Sequence, residues 1–359
     1  MSSSVDRFEQ IEHFLKNYGF WNENASIKRK LLSLVCYFQF TIVFLVLVIS
    51  AIPQAENWDE LADRILYAPS MFTVLLKTTN FYIKSRSVLR LYRNLRNEFK
   101  DDDVAGFYNN AVKAANKLFY LHVFNFLLAL PAIIVNPLIT GKMTIQMWYP
   151  GELDSNSIAF YIYWIQEAMS SIYSASLSPT LNVFSYYVFI LILEYFNLII
   201  HNFEDLEKWS GVEKREHLVK CIKMHRNVKL YCFQAQEAFS IIFFFECCQS
   251  ILVLSAAAIN LALWEQVELS RIVVFILFSI LTVIQLFVPM YYGNNIRVKS
   301  QLLATAAFES DWTDESAKYK KLVMIVGENM KNPIRMRAIE IFEINLENFL
   351  RVFTSSFHA

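Results

Sequence analysis

The sequence predicts an all-α protein, a seven-transmembrane helix bundle with its N-terminus in the cytoplasm and its C-terminus outside the cell. Three observations predict it. Hydrophobic residues make up 55% of the 359 and charged residues only 18%, against about 25% charged in an ordinary soluble chain. Apolar runs near the length that crosses a bilayer, about 20 residues, recur along the chain. Lys and Arg gather in alternate connections between those runs, and such clustering marks the cytoplasmic side. Seven Gly and eight Pro are few for a loop-rich chain and suit long helices.

The first residues are mixed in charge (Asp6, Arg7, Glu9, Glu12, Lys16) and contain no secretory apolar core, so the first apolar run is expected to anchor the chain. Spans are expected at 31–52, 65–83, 118–139, 239–263 and 272–292. The run 158–200 is twice as long and is interrupted at Ser178 and Pro179. It is one long kinked helix or two spans with a tight turn, and charge decides between them. With one helix, 28 of the 33 basic residues are cytoplasmic, leaving Arg64, Lys142 and Arg271 outside and Lys77 and Arg351 within spans. With two helices, the basic connection 202–237 would be external, against the charge rule. The seventh span, 338–357, is apolar on one side and charged on the other.

No repeat or linker divides the chain, so residues 1–359 form a single membrane domain. The external connection 140–157 carries Trp148, Tyr149, Pro150 and Gly151, an aromatic turn suited to the membrane interface. Residues 202–237 and 293–333 are expected to form a cytoplasmic helical collar. Leu206, Trp209, Leu218, Ile222 and Val228 alternate there with charges, and a helix over 314–331 opens at Thr313–Ser316 and stops before Pro333. The five cysteines avoid the external segments, so no structural disulfide is expected.

Zero net charge argues against a nucleic-acid partner, and the medium implied is membrane lipid. The sequence contains no phosphate loop, no HExxH, no GxSxG and no CxxC, so no catalytic residue, cofactor or enzyme activity is expected. His217, Cys221 and His225 share a helical face, but a fourth ligand is missing and no metal site is assigned. Polar residues within spans usually face a cavity or another helix; here they are Lys77, Glu167, Glu194 and Glu246. On a seventh helix, Glu340, Glu343 and Glu347 would share one face, with Arg351 paired to Glu347. Such a carboxylate stripe suits a cation pathway. Large apolar and aromatic residues in the outer halves suggest a small-molecule pocket. They are Met71, Phe72 and Leu75 on the second helix, Ile165, Met169, Ile172 and Tyr173 on the fourth, and Phe275, Ile276 and Ile280 on the sixth. Tyr173 and Ser176 would supply its polar groups.

The stretch from Pro289 through Gly293 to Ser300, followed by Ala306, Phe308, Ser310 and Trp312, resembles a signature of insect odorant receptors. Lys321-Leu322, Lys331-Asn332-Pro333 and Leu346-Glu347-Asn348-Phe349 resemble that family's seventh-helix region, and the long fourth helix ending in Phe203–Leu206 fits too. The resemblance covers most of the chain from about residue 30. It implies an insect odorant receptor-like fold in the plasma membrane of a sensory neuron dendrite. It also implies a subunit of an odorant-gated, non-selective cation channel, a heterotetramer of a tuning subunit with the odorant receptor co-receptor, Orco. A small volatile organic ligand would sit in the outer part of helices two, three, four and six. The seventh helix would line the pore, with Phe353, Ser356 and Phe357 nearest the gate. The chain looks like a tuning subunit, because 202–237 lacks the co-receptor's long insertion. The alternatives are a metabotropic chemoreceptor, a gustatory-type receptor channel, whose last-helix Thr-Tyr and Gln-Phe motif this chain lacks, and a secondary transporter using Glu194 or Glu246.

Overall fold

A computed structural model describes residues 8–17, 26–51, 58–101, 106–145, 147, 149, 154–262 and 269–358. The span ends 52 and 263, and Trp148, Pro150 and Gly151 of the aromatic turn, lie outside the described residues. The elements run α1 (Phe8–Asn17), α2 (Ile27–Ala51), α3 (Trp58–Asp101), α4 (Phe107–Thr140) and α5 (Ile158–Glu204). A single 3-10 turn (Asp205–Lys208) leads to α6 (Gly211–Ala262), α7 (Leu269–Glu309) and α8 (Ala317–Met330). A two-stranded hairpin, β1 (Arg337–Ala338) and β2 (Phe342–Glu343), precedes α9 (Leu346–His358).

The bundle is built around α5. Every residue of α5 from Leu177 to Ile192 is buried, as expected of a helix apolar on all sides. It is one continuous helix of 47 residues with Pro179 inside it, opened by Ser157, whose side chain accepts from the Phe160 N–H. Helices α3, α4, α6 and α7 surround it, α2 packs on α3 and α5, and α9 packs on α6 and α7. The outward face of α2 stays exposed through Leu31, Leu34, Phe38, Ile42, Leu45 and Ile49, a surface that only lipid would solvate well.

The segments expected to form a cytoplasmic collar are largely continuations of the spans. The fifth span and its preceding basic segment form one 52-residue helix, α6, and the sixth span continues unbroken to Glu309. Helix propensity carries through the polar segments because no Pro or internal Gly interrupts them from Val212 to Ala262. The expected helix over 314–331 appears as α8, with the Ser316 hydroxyl accepting from the Tyr319 N–H. Lys214 binds this corner together: its Nζ lies 3.1 Å from Glu315 Oε1, donates to the Asp311 carbonyl and stands 5.8 Å from the Tyr319 ring. Burial raises the Tyr319 phenol to about 12.

Four helices are long and apolar enough to cross a membrane by length and composition among the described residues: α2, α5, α6 and α7. The largest departure from expectation is at the end of the chain. The helix expected over 338–357 starts only at Leu346, where Asn345 caps it through a 2.8 Å bond from the Asn348 N–H. Residues 337–343 form the hairpin instead, pinned to α6 by bonds from the Arg337 N–H to Gln236 and from the Ile339 N–H to Ser240. Gly293, in the middle of α7 and not at its end, permits this arrangement. A Cβ there would fall on the Ile344 carbonyl.

Candidate functional site

At the end of the bundle opposite the collar, the tightly packed second half of α5 gives way to a cavity of about 100 Å³ lined by residues of α2, α3, α5, α6 and α7. Its apolar side is formed by Phe40, Tyr67, Met71, Val74, Leu277 and Phe278, with the Tyr67 and Phe278 rings edge to face at 5.7 Å. Its other side is rich in hydroxyls and amides. Ser170, Ser174 and Ser178 repeat every four residues down α5, Thr282 and Gln285 project from α7, and Ser70, Thr73 and Gln249 close the α3–α6 side. Ile145 caps the cavity from the connection after α4, held by a 2.9 Å bond from its N–H to the buried Glu167 carboxylate.

Below the cavity the α3–α6 seam is polar at every turn. The Thr73 hydroxyl donates to Gln249 Oε1 at 2.5 Å, and Gln249 Nε2 donates to Ser70. One turn deeper, Lys77 Nζ lies 2.6 Å from Glu246 Oε1, the two side chains being 2% and 3% exposed. Further down, Asn80 donates to the Ala238 carbonyl and Lys84 to that of Glu237. Toward α7, the Tyr186 hydroxyl donates to the backbone carbonyl of Gln285, a residue of the cavity wall. Near the collar, Glu98 accepts from Tyr195, Tyr231 and Asn227 at 2.6, 2.6 and 3.0 Å, joining α3, α5 and α6.

The residues singled out in sequence are distributed unevenly around this site. Met71 lines the cavity. Tyr173 is buried behind it, its ring 5.3 Å from that of Phe40. Leu75 and Phe275 are buried in the core away from the wall, and Ser176 is half-buried with its hydroxyl on the Tyr173 carbonyl. Phe72, Ile165, Met169, Ile172, Ile276 and Ile280 are 38–50% exposed on the outer surface. On α5 the expected face is thus rotated from the one that points inward, and no described α4 side chain lines the cavity. The residues missed are the small polar ones of α5 and α7. Their signal was present: a serine every four residues inside an apolar run leaves both room and hydrogen-bonding groups.

The three glutamates expected on one helical face are separated. Glu340 occupies the hairpin turn at φ 60°, and Glu343 lies on β2 with Oε1 3.2 Å from Arg297 Nη1. Only Glu347 is on α9, and it forms the expected pair with Arg351 at 2.6 Å. Phe353 is half-buried and stacks on Phe349. Ser356 is buried, and its carbonyl accepts from Ser255 of α6. The Phe357 side chain lies outside the described residues. Among the other polar residues, Glu194 accepts from Asn197, and His217 stacks on Trp209 at 4.0 Å.

The sequence profile of the family described as "7tm Odorant receptor" matches residues 57–357. The chain belongs to the insect odorant receptor family. Odorant receptor 42b of Drosophila melanogaster is 28% identical over 146 residues, 41% of this chain and 36% of that protein. Odorant receptor 43b of the same species is 32% identical over 138 residues, covering 38% and 33%. The chain thus spans about a third of the length of the curated relatives it matches. The structure of the insect olfactory receptor OR5 from Machilis hrabei in complex with eugenol matches with a TM-score of 0.82 at 16% identity, over 98% of this chain and 96% of that one. A second structure of the same receptor gives 0.84. The fold is therefore the seven-transmembrane fold of this family, and the chain is a multi-pass membrane protein. In that fold, Gly293 is the contact point for Ile344, Ser300 accepts from the Ile334 N–H, and the Phe308 ring covers Gly327. The motif that carried the resemblance tethers the segment before the last helix.

Proposed function

We propose that this chain is the odorant-binding tuning subunit of a ligand-gated, non-selective cation channel, assembled with Orco in a heterotetramer at the plasma membrane of a sensory neuron. The observation that carries the reading is the cavity opposite the collar, apolar on one side and polar on the other, in a bundle of odorant receptor fold. A small volatile ligand would fill it, with Met71, Phe40, Tyr67 and Phe278 supplying apolar contact at about 25 cal/mol per Å². A ligand that fits the open arrangement better shifts the population toward it. The exposed face of α9, with Glu347, Leu350, Arg351 and Thr354, would face the pore axis. Its Glu347–Arg351 pair would be the nearest charge to passing cations.

The test is whole-cell current from cells expressing the chain with and without Orco, under a panel of volatiles. A rapid ligand-evoked cation current that needs both proteins and survives G-protein blockade is the expected result. Current that needs only this chain, or that disappears with G-protein blockade, favours a gustatory-type channel or a metabotropic receptor respectively. Ligand uptake without current favours a transporter.

A further inference from the structure

Two neighbouring helices turn from lipid-facing to basic at the same depth. On α2, Leu31, Leu32 and Leu34 are exposed, and the residues just before them are the exposed Lys28, Arg29 and Lys30. On α3, Tyr82 and Ile83 are exposed, and Arg86, Arg90 and Arg93 continue the exposed face one turn at a time. Contacts between the two helices fix their register. Phe44 meets Phe72 ring to ring at 6.1 Å, and seven residues nearer the cytoplasm on each helix Tyr37 and Thr79 share a 2.8 Å hydrogen bond. Seven residues further, the same antiparallel register sets Lys30 beside Arg86. Like charges so placed repel, and neither 26–51 nor 84–97 contains an Asp or Glu to separate them. Arg90 and Arg93 pair with no carboxylate among the described residues.

Beyond Arg90 the face opens into a groove of about 270 Å³ between α1 and α3, with Arg93, Arg96 and Asn97 on its α3 side. Its α1 side is Glu12, whose carboxylate lies 2.7 Å from Lys16, and α1 is seated on the core through Ile11 and Leu15. Positive charge is general on a cytoplasmic face. The basic residues of α6 in the collar, however, alternate with Glu213 and Glu216, whereas this cluster is unmixed and starts where lipid ends. The geometry points to a site for a polyphosphoinositide of the cytoplasmic leaflet, its phosphodiester between Lys30 and Arg86 and its ring phosphates on Arg90 and Arg93 over the groove. Clusters of basic residues beside a span attract such lipids, and guanidinium groups match phosphate in two-pronged geometry. Arg86 to Arg93 covers about 10 Å along the helix, a reach that suits a headgroup with several phosphates better than phosphatidylserine. The acyl chains would lie on the exposed leucines of α2 and on Ile83. The inference needs only the cytoplasmic placement of this end, and is independent of the ligand cavity.

The full chain, purified in a neutral maltoside detergent, is titrated by microscale thermophoresis at physiological ionic strength. The probes are a dioctanoyl phosphatidylinositol bisphosphate, dioctanoyl phosphatidylserine and free inositol trisphosphate. The bisphosphate lipid should bind about tenfold more tightly than phosphatidylserine, and more tightly than inositol trisphosphate, which lacks chains for the apolar surface. Each basic group near an anionic lipid strengthens binding about fivefold. The double variant Arg90→Gln with Arg93→Gln should therefore weaken the bisphosphate lipid about 25-fold. Arg215→Gln with Lys223→Gln, which removes two exposed charges of α6, should leave it unchanged. Phosphatidylserine binding as tightly overturns the inference and leaves only a diffuse basic surface. Inositol trisphosphate binding as tightly overturns the lipid as occupant and favours a soluble phosphate. Equal loss in the two double variants, or no binding by any probe, also overturns it. Arg90 and Arg93 are exposed, so their replacement should leave the unfolding temperature in place; should that variant fail to fold, the ranking of the three probes on the unmodified chain decides.

Discussion

Lys77 and Glu246 hold each other where neither is stable alone. Both are almost fully buried within spans, 2.6 Å apart, and no further hydrogen bond reaches the carboxylate among the described residues. Replacing only Lys77 with Met leaves an uncompensated carboxylate and should cost about 3–5 kcal/mol. Replacing both residues with Met should restore most of it, which thermal unfolding in nanodiscs would show. Gly293→Ala belongs to the same scale: its Cβ meets backbone at Ile344, so the clash has no side-chain escape. It should abolish binding of a conformation-specific antibody to α9, whereas Gly106→Ala, whose Cβ meets nothing, should not. Lys77, Glu167 and Glu246 stood out in the sequence because charge in a span is rare, but their partners were not visible. The pocket residues were harder still. In water an exposed side chain is polar; in lipid the outward face is as apolar as the core, so Ile165, Met169 and Ile172 looked like a lining and are an outer surface. The serines of α5 were the better guide.

Among the elements, α3 and α6 are joined by a polar contact at nearly every turn, from Ser70 with Gln249 to Lys84 with the Glu237 carbonyl. At the collar end, Glu98 extends the connection to α5. Tyr195→Phe and Tyr231→Phe each remove one hydrogen bond to this carboxylate. Each should lower stability by about 1.5–3 kcal/mol, while Glu98→Ala, which removes the common acceptor, makes the two Tyr substitutions additive to nothing further. A double-mutant cycle on unfolding temperature checks this. The hairpin before α9 stores strain: Ile339 and Glu340 both have positive φ, at 41° and 60°, where a side chain is disfavoured. Glu340→Gly should therefore stabilise by about 0.5–1 kcal/mol. The long helices were legible from apolar runs and α8 from its Ser316 cap. The hairpin was not, because Glu340, Glu343 and Glu347 have helical spacing in sequence. Only the approach of Ile344 to Gly293 and the bonds from α6 displace that helix.

Over the whole molecule, the charge pattern sets the orientation and the apolar pattern the architecture. The end of the bundle formed by α8, the long α6 and α7 extensions and the lower part of α3 holds the Lys and Arg clusters, so the positive-inside rule assigns it to the cytoplasm. A tag placed after Ser2 should be reached by antibody only after permeabilisation, and a tag after Asp154 without it; access to the first in intact cells would reverse the topology. The same pattern that made the bundle legible is silent on assembly, because the surfaces that would meet other subunits are apolar in the span and mixed in charge in the collar, as lipid-facing and solvated surfaces also are.

The buried pair between α3 and α6 also governs how the chain is made. During synthesis Lys77, on α3, reaches the membrane three helices before Glu246, on α6, and a lone lysine at a helix centre costs about 2.5–3.5 kcal/mol to insert. Until α6 arrives, α3 is a marginal passenger of the bilayer, dependent on its neighbours and on the insertion machinery. A nascent receptor halted before residue 246 should be recognised as unfinished and degraded, and the same surveillance would remove any full-length variant that loses the glutamate. The amount of chain that survives to fold in the membrane is thus expected to depend in part on a single buried charge between α3 and α6.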